Sequence, residues 1–161
     1  MITLQPITWK NCDDVYELEV SDSQKNFVAP NPFSLSEAYA SVVDDSVPTR
    51  YAFAICNGDE VVGFAMIYFE TGDKNPFKDD DQPFYFFNRF MIGKQFQGRG
   101  YGKAAMTLVI EHVKTWPQGK ASSFYTSFEP SNDLVRKLYA DFGFVETGEI
   151  MHEEVVTRLI F

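Results

Sequence analysis

Gln97-Gly98-Arg99-Gly100-Tyr101-Gly102-Lys103 is the stretch that decides how this chain is read. The apolar run Phe84–Ile92 before it has the composition of a strand. Lys103–Trp116 after it has helical spacing at Ala105, Leu108, Val109, His112 and Trp116, and is closed by Pro117. Three glycines between a strand and a helix let the backbone approach a ligand and aim successive N–H groups at it, and the helix adds its positive dipole end. Such a turn suits a phosphate or pyrophosphate, and Arg99 and Lys103 add positive charge. A P-loop is excluded, because Gln97 stands where that motif needs Gly and Ala104 where it needs Ser or Thr. A dinucleotide fingerprint fits only in relaxed form, as Gly100-x-Gly102-x-x-Ala105, and no acid occurs about 20 residues on. The remaining alternative is a glycine-rich connection with no ligand.

Working outward, Ile2–Thr8 reads as a strand and Asn11–Val20 as a helix. Pro30 and Pro32 break the chain, and Ser34-Leu35-Ser36-Glu37 has the spacing of a capping box opening a second helix to about Val43. Arg50–Cys56 and Glu60–Glu70 are apolar, β-branched and aromatic runs joined by Asn57-Gly58-Asp59, a strong hairpin signal. Thr71–Pro83 reads as an exposed loop whose acidic run Asp79-Asp80-Asp81 is expected to be a solvated tip. Ser122–Phe128 reads as a strand and Asp133–Phe142 as a helix ended by Gly143. Val145–Ile150 and Val155–Phe161 form a last strand pair. Helices alternate with strands, but hairpins also occur. The expected fold is mixed α/β, a central mixed and mostly antiparallel sheet flanked by helices.

A length of 161 residues argues for a single domain over 1–161, and 45% hydrophobic residues are ample for one core. The balance of 14 Lys+Arg against 23 Asp+Glu gives a net charge of −9. Such a surface repels phosphate backbones and anionic lipid and attracts cations, so neither a nucleic acid nor a membrane is the expected partner. No run approaches the roughly 18 apolar residues a bilayer needs, and MITLQPITWK lacks the apolar core of a signal peptide. Cys12 and Cys56 share no metal-ligand spacing and read as reduced thiols, with no metal expected and a cytoplasmic location.

Gln97-x-x-Gly100-x-Gly102 after an apolar strand resembles the acyl-coenzyme-A loop of the GNAT N-acetyltransferase superfamily. Asn132-Asp133-Leu134-Val135-Arg136-Lys137-Leu138-Tyr139-Ala140-Asp141-Phe142-Gly143-Phe144 resembles that family's second signature. The two lie in the family's order and on matching elements. The resemblance implies an acetyl-CoA-dependent N-acetyltransferase that moves an acetyl group directly to an amine. By similarity, the amides from Gln97 through Gly98, Arg99, Gly100, Tyr101 and Gly102, with Lys103 behind them, would hold the pyrophosphate. Main-chain groups of Met91 and Ile92 would pair with the pantetheine arm as a short pseudo-strand. Asn132 would cap its helix and bond the same arm, and Tyr139 would give a proton to the departing thiolate.

Several relatives carry a carboxylate on the strand before the loop, where this chain has Asn88 followed by Arg89. Asn cannot act as a base, which leaves Glu70, Glu129 or a water chain to help deprotonate the amine. His112, on the apolar side of a helix, and His152, in a turn, are expected to be structural or exposed.

The segment Val20–Leu35 resembles bacterial members that acetylate spermidine, spermine or related diamines. Glu17, Glu19 and Asp22 with Tyr16 and Phe27 would then form a cation-friendly groove, unless they are only an amphipathic helix. The expected partner is a small-molecule amine, and homodimers are common in the family. A peptide N-terminus as acceptor and a non-enzymatic acyl-CoA or dinucleotide-binding module are the alternatives.

Overall fold

The computed structural model describes residues 1–78 and 80–161. Seven strands form one sheet in the order β1-β2-β3-β4-β5-β7-β6. Strands β1 (Ile2–Pro6), β2 (Arg50–Asn57), β3 (Glu60–Glu70) and β4 (Phe84–Ile92) pair antiparallel in succession. Strands β5 (Ser123–Phe128), β6 (Val145–Met151) and β7 (Glu154–Ile160) make a second antiparallel group, with β7 in the middle. The groups meet at a parallel pairing of β4 with β5. Around the sheet lie α1 (Cys12–Glu17), α2 (Asn31–Val43), α3 (Tyr101–Lys114) and α4 (Asp133–Asp141). This is the mixed, mostly antiparallel architecture the alternation of segments predicts, and the β2–β3 turn has Gly58 at φ +63°.

Several boundaries differ from the expectation. Helix α1 stops at Glu17, because Leu18 turns extended while its N–H still reaches Val15 O. Helix α2 starts at Asn31 and not at Ser34. Pro32 falls in its first turn, where a missing N–H removes no helical bond, so the proline opens the helix instead of breaking it. Ser34 is therefore buried inside the helix, with its hydroxyl accepting from Arg89 Nε at 3.2 Å, and Glu37 pairs with Arg89 at 2.8 Å. Neither residue caps anything. Capping-box pairing occurs upstream, where Gln24 Oε1 accepts from Ser21 N at 3.2 Å across the short turn Asp22–Gln24.

Adjacent strand residues point to opposite faces, and β4 shows which layer lies where. Met91 touches Asn31 of α2, whereas Ile92 lies beneath Gly102 of α3. The larger core runs from α3 and its neighbours, where Tyr85, Phe87, Phe124 and Phe144 pack among aliphatic side chains, to Val15 and Met91. A second cluster of Phe77, Phe84, Phe86 and Tyr125 lies on the face opposite α3, and the Phe77 ring stacks 3.9 Å from that of Tyr125.

That second cluster corrects the reading of the acidic run. Asp79 lies outside the described residues. Asp80 is not a solvated tip: its side chain is buried, accepts a bond from the Tyr125 hydroxyl at 2.6 Å and pairs with Arg158 at 3.1 Å. The loop is drawn onto the sheet because Phe77 needs burial, and the carboxylate that comes with it is matched by a guanidinium from β7.

Candidate active site

Strands β4 and β5 pair only from Phe84 opposite Ser123 to Phe87 opposite Thr126, and then part. At the parting Asn88 is an extra residue in β4, since Met66 of β3 faces Arg89 and Ile67 faces Phe87. Such a bulge bends the strand and re-aims the residues beyond it. The opening is a cleft of about 1060 Å³, lined by β4 from Phe86 to Ile92, the glycine loop, Thr126–Phe128 of β5, the buried side of α4 and the turn before β7.

One end of the cleft is made of backbone. Gly98 and Gly100 have φ of +76° and +80°, and a Cβ built on either would meet nothing within 4 Å. The glycines are needed for the left-handed dihedral and leave open space above the chain, as a ligand lying on the loop would require. Gly100 is the N-cap of α3, and no side chain caps that helix, so the N–H groups of its first turn remain available. The loop is held by Gln97 Nε2, which donates to Ile92 O and to Gln24 Oε1, both at 2.9 Å. Tyr101 is pinned by Asn57 Nδ2, which donates to its hydroxyl at 3.2 Å.

Met91, Ile92, Gln97, Gly98, Gly100, Tyr101, Gly102, Lys103, Asn132 and Tyr139 all line this cleft. Arg99 does not: its guanidinium sits 5.8 Å from the Phe96 ring centre. Lys103 pairs with Asp141 of α4 at 3.0 Å. Asn132 caps α4, its side chain accepting from Val135 N at 3.3 Å.

Tyr139 is buried between Phe128 and Phe144, with ring centres 6.0 and 5.5 Å away. Burial pushes its phenol up to about 12; a hydrogen bond with Thr126 opposes that shift and the charge of Glu154 adds to it. The group is thus protonated at neutral pH and has a proton to give.

The other end of the cleft is made of side chains. Asn88 lines it, and its buried Oδ1 has no hydrogen-bond partner among the described residues. Glu154, at the start of β7, also lines it and accepts a bond from Ser127 Oγ. Neither of the bases expected from sequence reaches the cleft. Glu70 accepts from the N–H of Thr71 and lies 3.9 Å from Lys74, and Glu129 accepts from Ser131. Two of the three N-terminal acids are engaged as well. Glu19 pairs with Lys94 at 3.1 Å and Asp22 with Lys25 at 2.7 Å, while Phe27 alone of that group lines the cleft.

His112 packs edge-on against Phe53 at 5.0 Å, and burial lowers its pKa. His152, expected to be structural or exposed, is exposed and lines the cleft rim. Cys12 and Cys56 are free thiols, and burial raises the pKa of Cys56. Among the described residues no group of three His, Cys, Asp or Glu could hold a metal, and no helix is long and apolar enough to cross a membrane.

A mixed sheet that opens beside a glycine-rich helix start, with a buried phenol in the opening, offers room for a phosphate-bearing ligand and a proton donor in one cleft. The acetyltransferase (GNAT) family pattern matches residues 12–144, and the chain belongs to that family. It is an acetyl-CoA-dependent N-acetyltransferase.

The chain is 28% identical over 150 residues to the spermine/spermidine N(1)-acetyltransferase of Bacillus subtilis, covering 92% of this chain and 91% of that one. Its fold is similar to that of the aminoglycoside acetyltransferase AAC(6')-Ib in complex with coenzyme A, with a TM-score of 0.75, 17% identity and coverage of 99% and 95%. It is also similar to spermidine N-acetyltransferase from Vibrio cholerae in complex with CoA and spermine, with a TM-score of 0.67, 14% identity and coverage of 98% and 92%.

Proposed function

We propose that this enzyme transfers the acetyl group of acetyl-CoA to a primary amine of a small polycation, a polyamine such as spermidine or spermine. The observation that carries this reading is the similarity, along 92% of the chain, to a relative named for those two acceptors. The −9 charge supports it by favouring the approach of a polycation over that of an anion.

In this reading the amides of Gln97–Gly102 and the first turn of α3 hold the pyrophosphate, with Lys103 nearby. The edge of β4 at Met91 and Ile92, which β5 leaves unpaired, receives the pantetheine arm, helped by Asn132. The thioester then lies in the opening near Tyr139. An alkylammonium costs about 4.6 kcal/mol to deprotonate at pH 7. With that first proton released to solvent, the neutral nitrogen attacks the thioester carbonyl, the carbon–sulfur bond breaks, and the leaving thiolate takes the Tyr139 proton. The phenolate then takes the second proton of the former ammonium and is a phenol again. A phenol raised to about 12 is a strong base once ionised, which favours that return.

The test is thiol release from acetyl-CoA with a panel of polyamines, aminoglycosides, amino acids and peptides. Spermidine or spermine should have the highest kcat/KM, with KM rising as salt is added. Turnover of a peptide or an amino acid with none of any polyamine would rule the reading out.

A further inference from the structure

Among the described residues two acidic side chains line the cleft, and they are not equivalent. Asp141 is taken by Lys103 at the coenzyme end. Glu154 has no cation partner among the described residues, and its hydrogen bond comes from the neutral Ser127 hydroxyl. Ser127 precedes Phe128, whose ring packs on Tyr139, so the carboxylate lies at the part of the cleft that holds the phenol.

Two further observations converge here. Asn88 Oδ1 is a buried acceptor with no partner in the same cleft, a costly arrangement unless a ligand N–H completes it. The turn feeding Glu154 into β7 has both central residues, His152 and Glu153, at positive φ (49° and 68°). That is the pattern of a type I′ turn, which favours Asn and Gly. Two side chains bear backbone strain where the chain delivers a carboxylate to the cleft.

We propose that Glu154 and Asn88 together receive the acceptor's reacting nitrogen, the carboxylate holding its positive charge and the amide oxygen accepting one of its N–H groups. This rests on the polyamine reading. One carboxylate is enough to gather a cation. A second beside it would hold the nitrogen more firmly in its charged, unreactive form, and the neutral amide of Asn88 supplies direction without that penalty.

The test is calorimetric titration of spermine into protein saturated with coenzyme A, at several salt concentrations. Wild type should bind with an affinity that falls as salt rises. Glu154→Gln should weaken binding at least tenfold and flatten the salt dependence, and Asn88→Leu should weaken it about threefold to tenfold with the salt dependence unchanged. Both should keep wild-type affinity for coenzyme A. If Glu154→Gln binds spermine within twofold of wild type and with the same salt dependence, the inference is overturned while the polyamine reading stands. If wild type itself fails to bind spermine, the polyamine reading falls and takes this inference with it. Should the Gln variant not fold, Glu154→Asp decides. It keeps the charge and should keep the wild-type salt dependence, whereas a flattened one would overturn the proposal.

Discussion

The proposed coenzyme end and the proposed acceptor end of the cleft are built from different materials. At the coenzyme end one short stretch, Met91–Lys103, supplies strand edge, turn and helix start, and its working parts are backbone dihedrals and N–H groups. At the acceptor end the parts are side chains carried by different strands: Asn88 on β4, Ser127 on β5 and Glu154 on β7. A site made of backbone constrains neighbouring residues and leaves a contiguous signature. A site made of side chains constrains only where strands lie, so its residues scatter along the chain.

The sharpest way to break the comparison is Gly100→Asp. It forces a side chain into a left-handed dihedral and sets a negative charge against phosphate. Affinity for acetyl-CoA should fall about 10³-fold, roughly 4 kcal/mol, as read by calorimetry. An unchanged dissociation constant would remove the loop from the coenzyme site.

Next in size is Tyr139→Phe, which deletes a hydroxyl and keeps the ring between Phe128 and Phe144. Turnover should fall about 10²-fold, about 2.7 kcal/mol of barrier, with affinity for acetyl-CoA nearly intact. A loss under about threefold with chemistry rate-limiting would leave Tyr139 as packing only.

Asp80→Ala probes the support behind the acceptor end, because Phe77 of the same loop packs on Phe86, a lining residue of the cleft. It leaves the Arg158 charge and the Tyr125 hydroxyl without their partner. Stability should drop by about 2 kcal/mol, less than for a fully buried pair because Arg158 is partly exposed. The acceptor's KM should rise while coenzyme affinity holds, and the reverse pattern would show that the loop serves the other end.

The alkaline limb compares a tyrosine in the cleft with one outside it. Burial raises both Tyr139 and Tyr68 from an ordinary 10 to about 12. Between those values the unfolded chain has lost protons that the folded protein keeps, so stability is full below pH 10 and declines as pH rises toward 12. The melting temperature should fall through that window, less steeply in Tyr139→Phe. A limb with the same slope in both would mean that Tyr139 is not shielded.

The smallest effect belongs to Glu153→Asn, which should relieve strain at the β6–β7 turn by about 0.5–1 kcal/mol. The melting temperature should rise a few degrees with activity little changed. A drop would mean that the turn is held by contacts of the Glu153 side chain.

Legibility in the sequence follows the same division. Strand β4, the Asn57–Gly58 hairpin and the glycine turn can be placed from composition and spacing, because each is local physics. The start of α2 is misread from sequence because Pro30 and Pro32 carry opposite meanings inside and outside a first turn, and only the seating of Asn31 against Val15 decides between them. Burial of Asp80 depends on Arg158, far along the chain, and no local pattern announces such a partner. Glu154 escapes notice for the same reason. It reaches the cleft because β7 pairs with β5 ahead of β6, a choice of neighbour that the order of strands in the chain does not reveal.

The extra residue at Asn88 gives β4 two reading phases. Up to Phe87 the odd positions, Tyr85 and Phe87, face the α3 layer, but beyond it the even positions, Phe90 and Ile92, do so. Removing Asn88 would restore one phase without exchanging any face, because Arg89 would then follow Phe87 as Met66 precedes Ile67 on the partner strand. What would go is the bend at the point where β4 and β5 part, and with it the opening of the cleft. Over these few residues the fold can absorb a changed letter far more easily than a missing one, so the length of β4 is as much a part of the catalyst as any side chain on it.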